Sequence, residues 1–268
     1  MLKCCNHIHL LIINSLRRFQ QQTTMARSFS VALAIIATIA AAFAKTEVTN
    51  LRSNVLATNA PQIPLGECAE FAVMAGTSAS FDGQLTTIQT GDVGVSPGTS
   101  LTGNVQLNSG TIEITSTKSN QCAADRITAY NAAQAAVCPP SNNINELSGL
   151  TLFPGVYCAV HSPMTFAAGT LTLDAQNDPN AVWVFQASSS LLTAPYTSFI
   201  LNNGAQSGNV FWQVSSSATL GYSSSFVGTI IAYASVSAQT NAVVNGRALA
   251  GAGASFAGLD TVTLPISK

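Results

Sequence analysis

Charged residues are scarce: 8% of the 268-residue chain, where about a quarter is usual. The net charge is −1, so no basic footprint for nucleic acid exists. With so little charge, a soluble surface must be built from Ser, Thr, Asn, Gln, Gly and Ala. Histidine is equally sparse. His161 is the only one after Ala44, in a loop with no nucleophile motif near it, which disfavours acid–base catalysis. No Asn-x-Ser/Thr sequon occurs, so N-glycosylation is not expected. What the chain does have is apolar content, 47%. That excludes disorder and is enough for one domain with a sizeable core.

The N-terminal residues read as targeting rather than fold. From Met25 the chain runs MARSFSVALAIIATIAAAFA. Arg27 gives a positive flank, Val31 to Ala41 an apolar stretch, and Ala42-Phe43-Ala44 a small-x-small cleavage pattern. The run is short for a membrane span of about 20 residues, which favours a cleaved secretory signal over an anchor. Residues 1–24 then form an upstream extension carrying Cys4 and Cys5, 25–44 the signal, 45–65 a polar N-terminal arm, and 66–268 the main domain. The expected product is extracellular, monomeric and free of membrane.

Four cysteines follow the cleavage site: Cys68, Cys122, Cys138 and Cys158. Their spacing fits no zinc motif, and an even number in an exported chain points to disulfides. Asn120 to Val137 reads as a helix, Ala-rich from Cys122 onward and ended by Pro139-Pro140. Ala123, Ile127, Tyr130, Ala133 and Val137 give it an apolar stripe at helical spacing. Cys122 and Cys138 would then sit about 24 Å apart, beyond disulfide reach. The two other pairings stay open, with Cys68–Cys122 and Cys138–Cys158 preferred.

Outside that helix, short strands alternate with Gly, Asn, Ser and Pro, and the C-terminal third repeats itself. FQASSSLLT (Phe185 to Thr193) returns as WQVSSSAT (Trp212 to Thr219), and FVGTIIAYASVS (Phe226 to Ser237) aligns with VNGRALAGAGAS (Val244 to Ser255) at a shift of 18. Aligned so, Thr193, Thr219, Ser237 and Ser255 are equivalent, the first interval being 26 residues. Each lies between two apolar neighbours. Strand side chains alternate between faces, so these hydroxyls should point outward, one above another. GTSASF repeats the pattern of GAGASF, which adds Ser80 to the ladder. Two residues on come Pro195, Gly221, Gln239 and Ala257, and then Thr197, Ser223, Asn241 and Leu259. A period near 18 suits one coil of a small β-solenoid.

A series of strings in order completes the picture: GDVGVSPG (Gly91 to Gly98), LTG (Leu101 to Gly103), AYNAA (Ala129 to Ala133), PGVY (Pro154 to Tyr157), LTLDAQNDPNAVWVFQ (Leu171 to Gln186), NGAQSGNVFWQV (Asn203 to Val214) and VNGRALA (Val244 to Ala250). With these the chain resembles the microbial ice-binding protein-like (antifreeze) family across nearly all of Leu65 to Leu264. The resemblance implies a mainly β fold: a right-handed, discontinuous β-solenoid of triangular section with one long α-helix alongside. It implies that N-terminal strands insert beside C-terminal ones, which would bring Ser80 to the later ladder. It also implies that one flat face binds ice, without cofactor or catalysis. The landmark strings look architectural, with Gly91, Gly94, Pro97 and Gly98 shaping turns and Asp174 and Asp178 capping a loop.

The ladder's chemistry suits an ice partner. Solenoid rungs repeat about every 4.8 Å, and β-branched Thr holds its methyl and hydroxyl in few rotamers. The expected ice-contacting set is Ser80, Thr193, Thr219, Ser237, Ser255, Gln239, Ala257, Thr197, Ser223 and Asn241. The competing possibility is a polysaccharide-binding or carbohydrate-active β-helix. A hydrolase or lyase needs clustered carboxylates or an Arg/Lys base in a groove, whereas Asp174 and Asp178 share only a loop and Asp82, Asp92 and Asp260 are isolated. Tyr196 and Tyr222 could flank a sugar, although stacked aromatics more often pack. Trp183 and Trp212 lie in apolar runs and read as core. The secretory pattern makes a direct prediction: Edman sequencing of the exported product should begin at Lys45, and a product starting at Met1 or Met25 excludes the cleavage.

Overall fold

A computed structural model describes residues 60–265, within the second of two compact units, Ala57–Lys268. The upstream extension, the signal and the arm as far as residue 59 lie outside the described residues. A short 3-10 turn (Gly66–Glu70) leads into β1 (Phe71–Ala75), β2 (Ser78–Thr90), β3 (Asp92–Val95), β4 (Ser100–Leu107) and β5 (Ile112–Ile114). The helix α1 (Thr117–Ala135) follows. Then come β6 (Thr151–Leu152), β7 (Gly155–Ala159), β8 (Met164–Phe166), β9 (Thr170–Asp174), β10 (Trp183–Ala187), β11 (Leu191–Thr193) and β12 (Ser198–Asn202). The chain ends with β13 (Val210–Val214), β14 (Ala218–Leu220), β15 (Ser225–Ala232), β16 (Val236–Ala238), β17 (Val243–Ala250), β18 (Gly253–Phe256) and β19 (Thr261–Thr263).

Every strand pairing is parallel, and successive coils stack into three faces. The first face runs β7, β10, β13, β15, β17, β1, β3, β5. The second runs β8, β11, β14, β16, β18, β2, β4. The third starts with β6, β9 and β12 and continues through the leading halves of β15 and β17, then β19 and the trailing halves of β2 and β4. The stacking order is not the chain order. β1 lies between β17 and β3, and β2 between β18 and β4, so the first coil is inserted against the last, as the family resemblance implies.

Long strands turn a corner between faces, and there the rungs stack too closely for side chains. A Cβ on Gly246 would lie 1.9 Å from the Gly228 carbonyl oxygen of the rung below, so only glycine fits. Inside the coil, alternate residues fill the core. Tyr157, Phe185 and Trp212 stack on successive rungs with centroids 5.5 and 3.9 Å apart. Both tryptophans are buried, and their indole N–H groups donate to the carbonyls of Leu152 and Val227, as a buried indole requires.

The other residues of the first face, among them Val156, Val184, Phe211, Ile231 and Leu249, point out against α1. The helix begins three residues before the expected Asn120, where the Ser116 side chain accepts from the Ser119 amide as its N-cap. Its buried stripe is Ser119, Cys122, Ala129, Tyr130 and Ala133. The expected stripe was therefore partly wrong: Ile127 is exposed and Val137, beyond the helix end, is 84% exposed. Small residues let α1 lie close on the sheet, and closeness selected them over bulk. Asp125 fixes the 3-10 turn by accepting from the Glu67 amide, and Gln186 donates to the Ala133 and Ala136 carbonyls at the helix C-terminus.

Two disulfides pin the helix at its ends, Cys68–Cys122 at the 3-10 turn and Cys138–Cys158 to β7, which is the preferred pairing. They close loops of 54 and 20 residues. Loop-closure entropy assigns about 4 kcal/mol to the first and about 3 kcal/mol to the second. Cys68 and Cys122 are also fully buried, so a serine there leaves hydroxyls short of partners. In thermal melts the double variant Cys68→Ser/Cys122→Ser should therefore lose more stability than Cys138→Ser/Cys158→Ser. The reverse order would mean that anchoring the helix exit matters more.

Candidate functional site

The second face shows strict alternation. Ala79, Phe81, Ala254, Phe256, Val236, Ala238, Ala218, Leu220, Leu191, Met164 and Phe166 are buried in the coil. The residue between each pair points out. In register these outward residues are Thr165, Leu192, Thr219, Ser237, Ser255, Ser80 and Thr102. Thr219, Ser237, Ser255 and Ser80 thus stand one above another as expected. The Ser255 hydroxyl donates to Ser237 at 2.9 Å, so neighbouring rungs are tied.

Thr193 does not belong to this column. Leu192 is the partner of Thr219 and is 41% exposed, while Thr193 is 8% exposed. Its Oγ1 accepts from the Gly221 amide at 2.9 Å. The same one-residue slip displaces Thr197, which is 2% exposed and donates its hydroxyl to the Ala194 carbonyl. Tyr196 takes its place at the corner: Tyr196, Ser223, Asn241 and Leu259 all have positive φ, 61°, 51°, 65° and 58°. A slip of one residue exchanges the inward and outward sets, so both threonines leave the proposed surface. Pro195 is displaced with them, and buried Gly221 packs on Ala194 and Pro195.

Gln239 and Ala257 are exposed at the edge of the face, and Gln239 accepts from the Tyr222 amide. At the corner, the Asn241 side chain donates to the Ser223 hydroxyl at 2.8 Å. Tyr196 and Tyr222 are exposed with their rings edge to face, 5.6 Å apart. They sit on neighbouring rungs but not in equivalent positions.

A second hydroxyl column was missed. Ser190, Ser217, Ser235, Gly253, Ser78 and Ser100 follow one another on successive rungs. All are partly or fully exposed, and the Ser235 amide donates to the Ser217 hydroxyl. The repeated SSS in FQASSSLLT and WQVSSSAT was the available signal. Between Thr165 and Ser255 neither column carries a charged side chain.

Glu146 closes one end of the first column, bridging to Thr165. Burial pushes its carboxyl up, but hydrogen bonds from Ser148, from the Thr165 hydroxyl and from the Ala167 and Ser148 amides outweigh that and hold it down at about 2. Asp174 and Asp178 cap their loop as expected: Asp174 accepts from the Gln176 amide and Asn203, and Asp178 from the Asn180 amide. Gly91 has the positive φ of a turn. Gly94 instead lies within β3, where a Cβ would strike the Phe71 ring. His161 is exposed in its loop. Among the described residues no three His, Cys, Asp or Glu side chains group as metal ligands, and no helix is long and apolar enough to cross a membrane.

The other faces differ. The helix covers the first. The third carries outward Thr170, Ser198, Ser225, Thr261 and Thr87, but Val243 interrupts them, Gln106 follows Thr87 and the exposed Ile200 stands beside the column. The longest uninterrupted run of small outward hydroxyls, Thr219 to Thr102, is on the second face.

The model of the ice-binding-like family matches residues 73–263. The chain belongs to that family. It is 40% identical to an ice-binding protein of Nostoc sp. (strain HG1), over 71% of this chain and 70% of the relative. A crystal structure of an ice binding protein from an Antarctic biological consortium is 41% identical, with a TM-score of 0.70 over 78% of this chain and 94% of that one. The ice-binding protein of the Antarctic ascomycete Antarctomyces psychrotrophicus is 38% identical, with a TM-score of 0.72 over 77% and 100% of the two chains.

The register in this ice-binding-like chain can be tested without any ligand. Thr193→Val should cost about 1–3 kcal/mol in urea unfolding, because the buried Gly221 amide loses its acceptor. Thr219→Val, on an outward position, should stay within about 0.5 kcal/mol of the parent. Equal costs at both positions would contradict the one-residue slip.

Proposed function

We propose that this protein is exported and adsorbs to ice through the second face, which gives thermal hysteresis and inhibits recrystallisation. The observation that carries the proposal is the pair of outward columns in register on rigid parallel rungs, Thr219–Ser237–Ser255–Ser80–Thr102 beside Ser190–Ser217–Ser235–Gly253–Ser78–Ser100. Parallel rungs repeat at about 4.8 Å, so hydroxyls and methyls recur with near-crystalline regularity. Short side chains on a backbone held from both sides lose little entropy on adsorption. A charge would hold its own hydration shell against the lattice, and both columns exclude it between Thr165 and Ser255. Many weak contacts then act together over a flat area.

Family membership supports the same reading, since the relatives are named ice-binding proteins. Two disulfides fit an oxidising compartment outside the cytosol, in line with the secretory pattern. Asp174 and Asp178 accept N–H groups of their own loop, which favours a structural role over catalysis. The protein is read as a monomer without cofactor.

Thr219→Tyr and Ser237→Tyr each raise a ring above the face and hold it off the crystal. Each should abolish most thermal hysteresis while changing stability by about 0.5 kcal/mol or less. Thr261→Tyr, on the third face, should keep full activity. Hysteresis is measured beside a melting curve for each variant. If the first two fold normally and retain hysteresis, or if only the third loses it, the second face is not the ice-contacting one.

A further inference from the structure

A cleft of about 520 Å³ opens between α1 and the corner where the first face turns into the second. Its walls are Arg126, Ile127, Tyr130 and Asn131 of the helix, and Tyr233 with the Gly251–Ala252 backbone of the solenoid. The cleft exists because of a missing side chain. Gly251 follows β17 as Tyr233 follows β15, since Ala232 pairs with Ala250. A Cβ on Gly251 would lie 2.0 Å from the Tyr233 carbonyl oxygen and 3.2 Å from Arg126 Nη1. One rung beyond the Tyr233 ring, the wall is therefore bare backbone.

Arg126 is short of partners. A guanidinium carries five N–H donors, and Arg126 makes one long hydrogen bond within the protein, Nη1 to the Ala232 carbonyl at 3.3 Å. Among the described residues the only salt bridge is Lys118–Asp92, so no carboxylate pairs with Arg126. The group is half-buried, and burial lowers its pKa. Its remaining N–H groups are not buried, so they face the open cleft and are free to meet an anion there. Beside it the Tyr130 and Tyr233 rings stand 6.0 Å apart and tilted by 54°, and Tyr233 is 68% exposed. Of the remaining walls, Ile127, Ala234 and Ala252 are apolar or small and Asn131 is polar. The volume lies within the usual range for small-molecule sites, which pair apolar walls with a few polar anchors.

We propose that this cleft binds an aromatic carboxylate, its carboxylate on the Arg126 guanidinium and its flat ring against Tyr233 and Tyr130. The guanidinium fork matches a carboxylate bidentately, and the exposed Tyr233 ring offers a flat surface to a planar ring, with the buried Tyr130 at the base of the cleft. No residue of either hydroxyl column lines the cleft, so the site stands whether or not those columns bind ice.

The test uses 2-naphthoate as probe, with the neutral 2-naphthylmethanol as its uncharged counterpart, in calorimetric titrations at low salt. Saturable binding of 2-naphthoate is expected below about 1 mM. The neutral probe and the Arg126→Gln variant should each bind at least about tenfold more weakly, as loss of a charge-assisted hydrogen bond implies. Tyr233→Ala should weaken binding by about fivefold, in the range of one aromatic contact. Because Tyr233 is exposed, that variant keeps the test open if Arg126→Gln fails to fold. Absence of saturable binding overturns the proposal. So does equal affinity for the neutral probe, or undiminished binding by the folded Arg126→Gln or Tyr233→Ala protein.

Discussion

The second face depends on one non-local contact, the parallel pairing of β2 with β18. Ser78, Ala79, Ser80 and Phe81 pair in register with Gly253, Ala254, Ser255 and Phe256, joining the start of the described chain to its end. The pairing stacks the Phe81 and Phe256 rings at 5.4 Å and buries both. It also converts two separate stacks of strands into one continuous sheet. Without it, the outward hydroxyls of β14, β16 and β18 would end at an open edge, and those of β2 and β4 would belong to a fragment too small to bury its own apolar side. A contact so distant in sequence carries a large closure entropy. Cys68–Cys122 offsets part of that by holding the turn before β1 on the helix.

A solenoid must also manage its ends, where unpaired strands expose hydrogen-bonding groups. At the β7–β8 end the segment after Cys138 does this with single contacts instead of a strand. The Asn142 side chain donates to the Val156 carbonyl, and the Ile144 and Leu147 amides donate to Cys158 and Thr165. Glu146 then satisfies Thr165 and the Ala167 amide. A carboxylate is suited to this place because it accepts several N–H and O–H groups at once, beside the Asn145 carbonyl that takes the Thr165 amide. The charge therefore sits at the terminus of the column, outside the repeating part.

Much of this was legible in the sequence, and the failures share a cause. The GTSASF and GAGASF match located Ser80 correctly because an apolar–hydroxyl–apolar triplet has only one way to sit on a half-buried strand. The run LLTAPYT defeated the same logic. Thr193 and Thr197 are hydroxyls too, and aligning by chemistry shifted the rung by one residue. The ungapped match of FQASSSLLT to WQVSSSAT already placed Leu192 opposite Thr219. Here position outranked residue type: an inward threonine is tolerated wherever a backbone amide such as that of Gly221 needs an acceptor. On the helix, apolar spacing placed Tyr130 and Ala133 correctly but also pointed to Ile127 and Val137, where the sheet instead packs against Ser119, Cys122 and Ala129. Spacing reports which residues share a face, and it does not report which neighbour sets the distance.

Leu192 marks where the regular surface stops. Its side chain interrupts the hydroxyl column between Thr165 and Thr219, and the exposed Tyr196 and Tyr222 rise at the adjacent corner. The uninterrupted run is therefore Thr219, Ser237, Ser255, Ser80 and Thr102, which straddles the β18–β2 contact. Its order cannot come from any one segment of the chain. From Thr219 to Ser80 each outward hydroxyl is held at its height by an inward apolar pair on the same rung, and each rung by the ladder to its neighbours. The scarcity of charge in the sequence and the packing of the core thus serve the same end, since a short polar residue on a rigid strand keeps its place only if the residues behind it are fully buried.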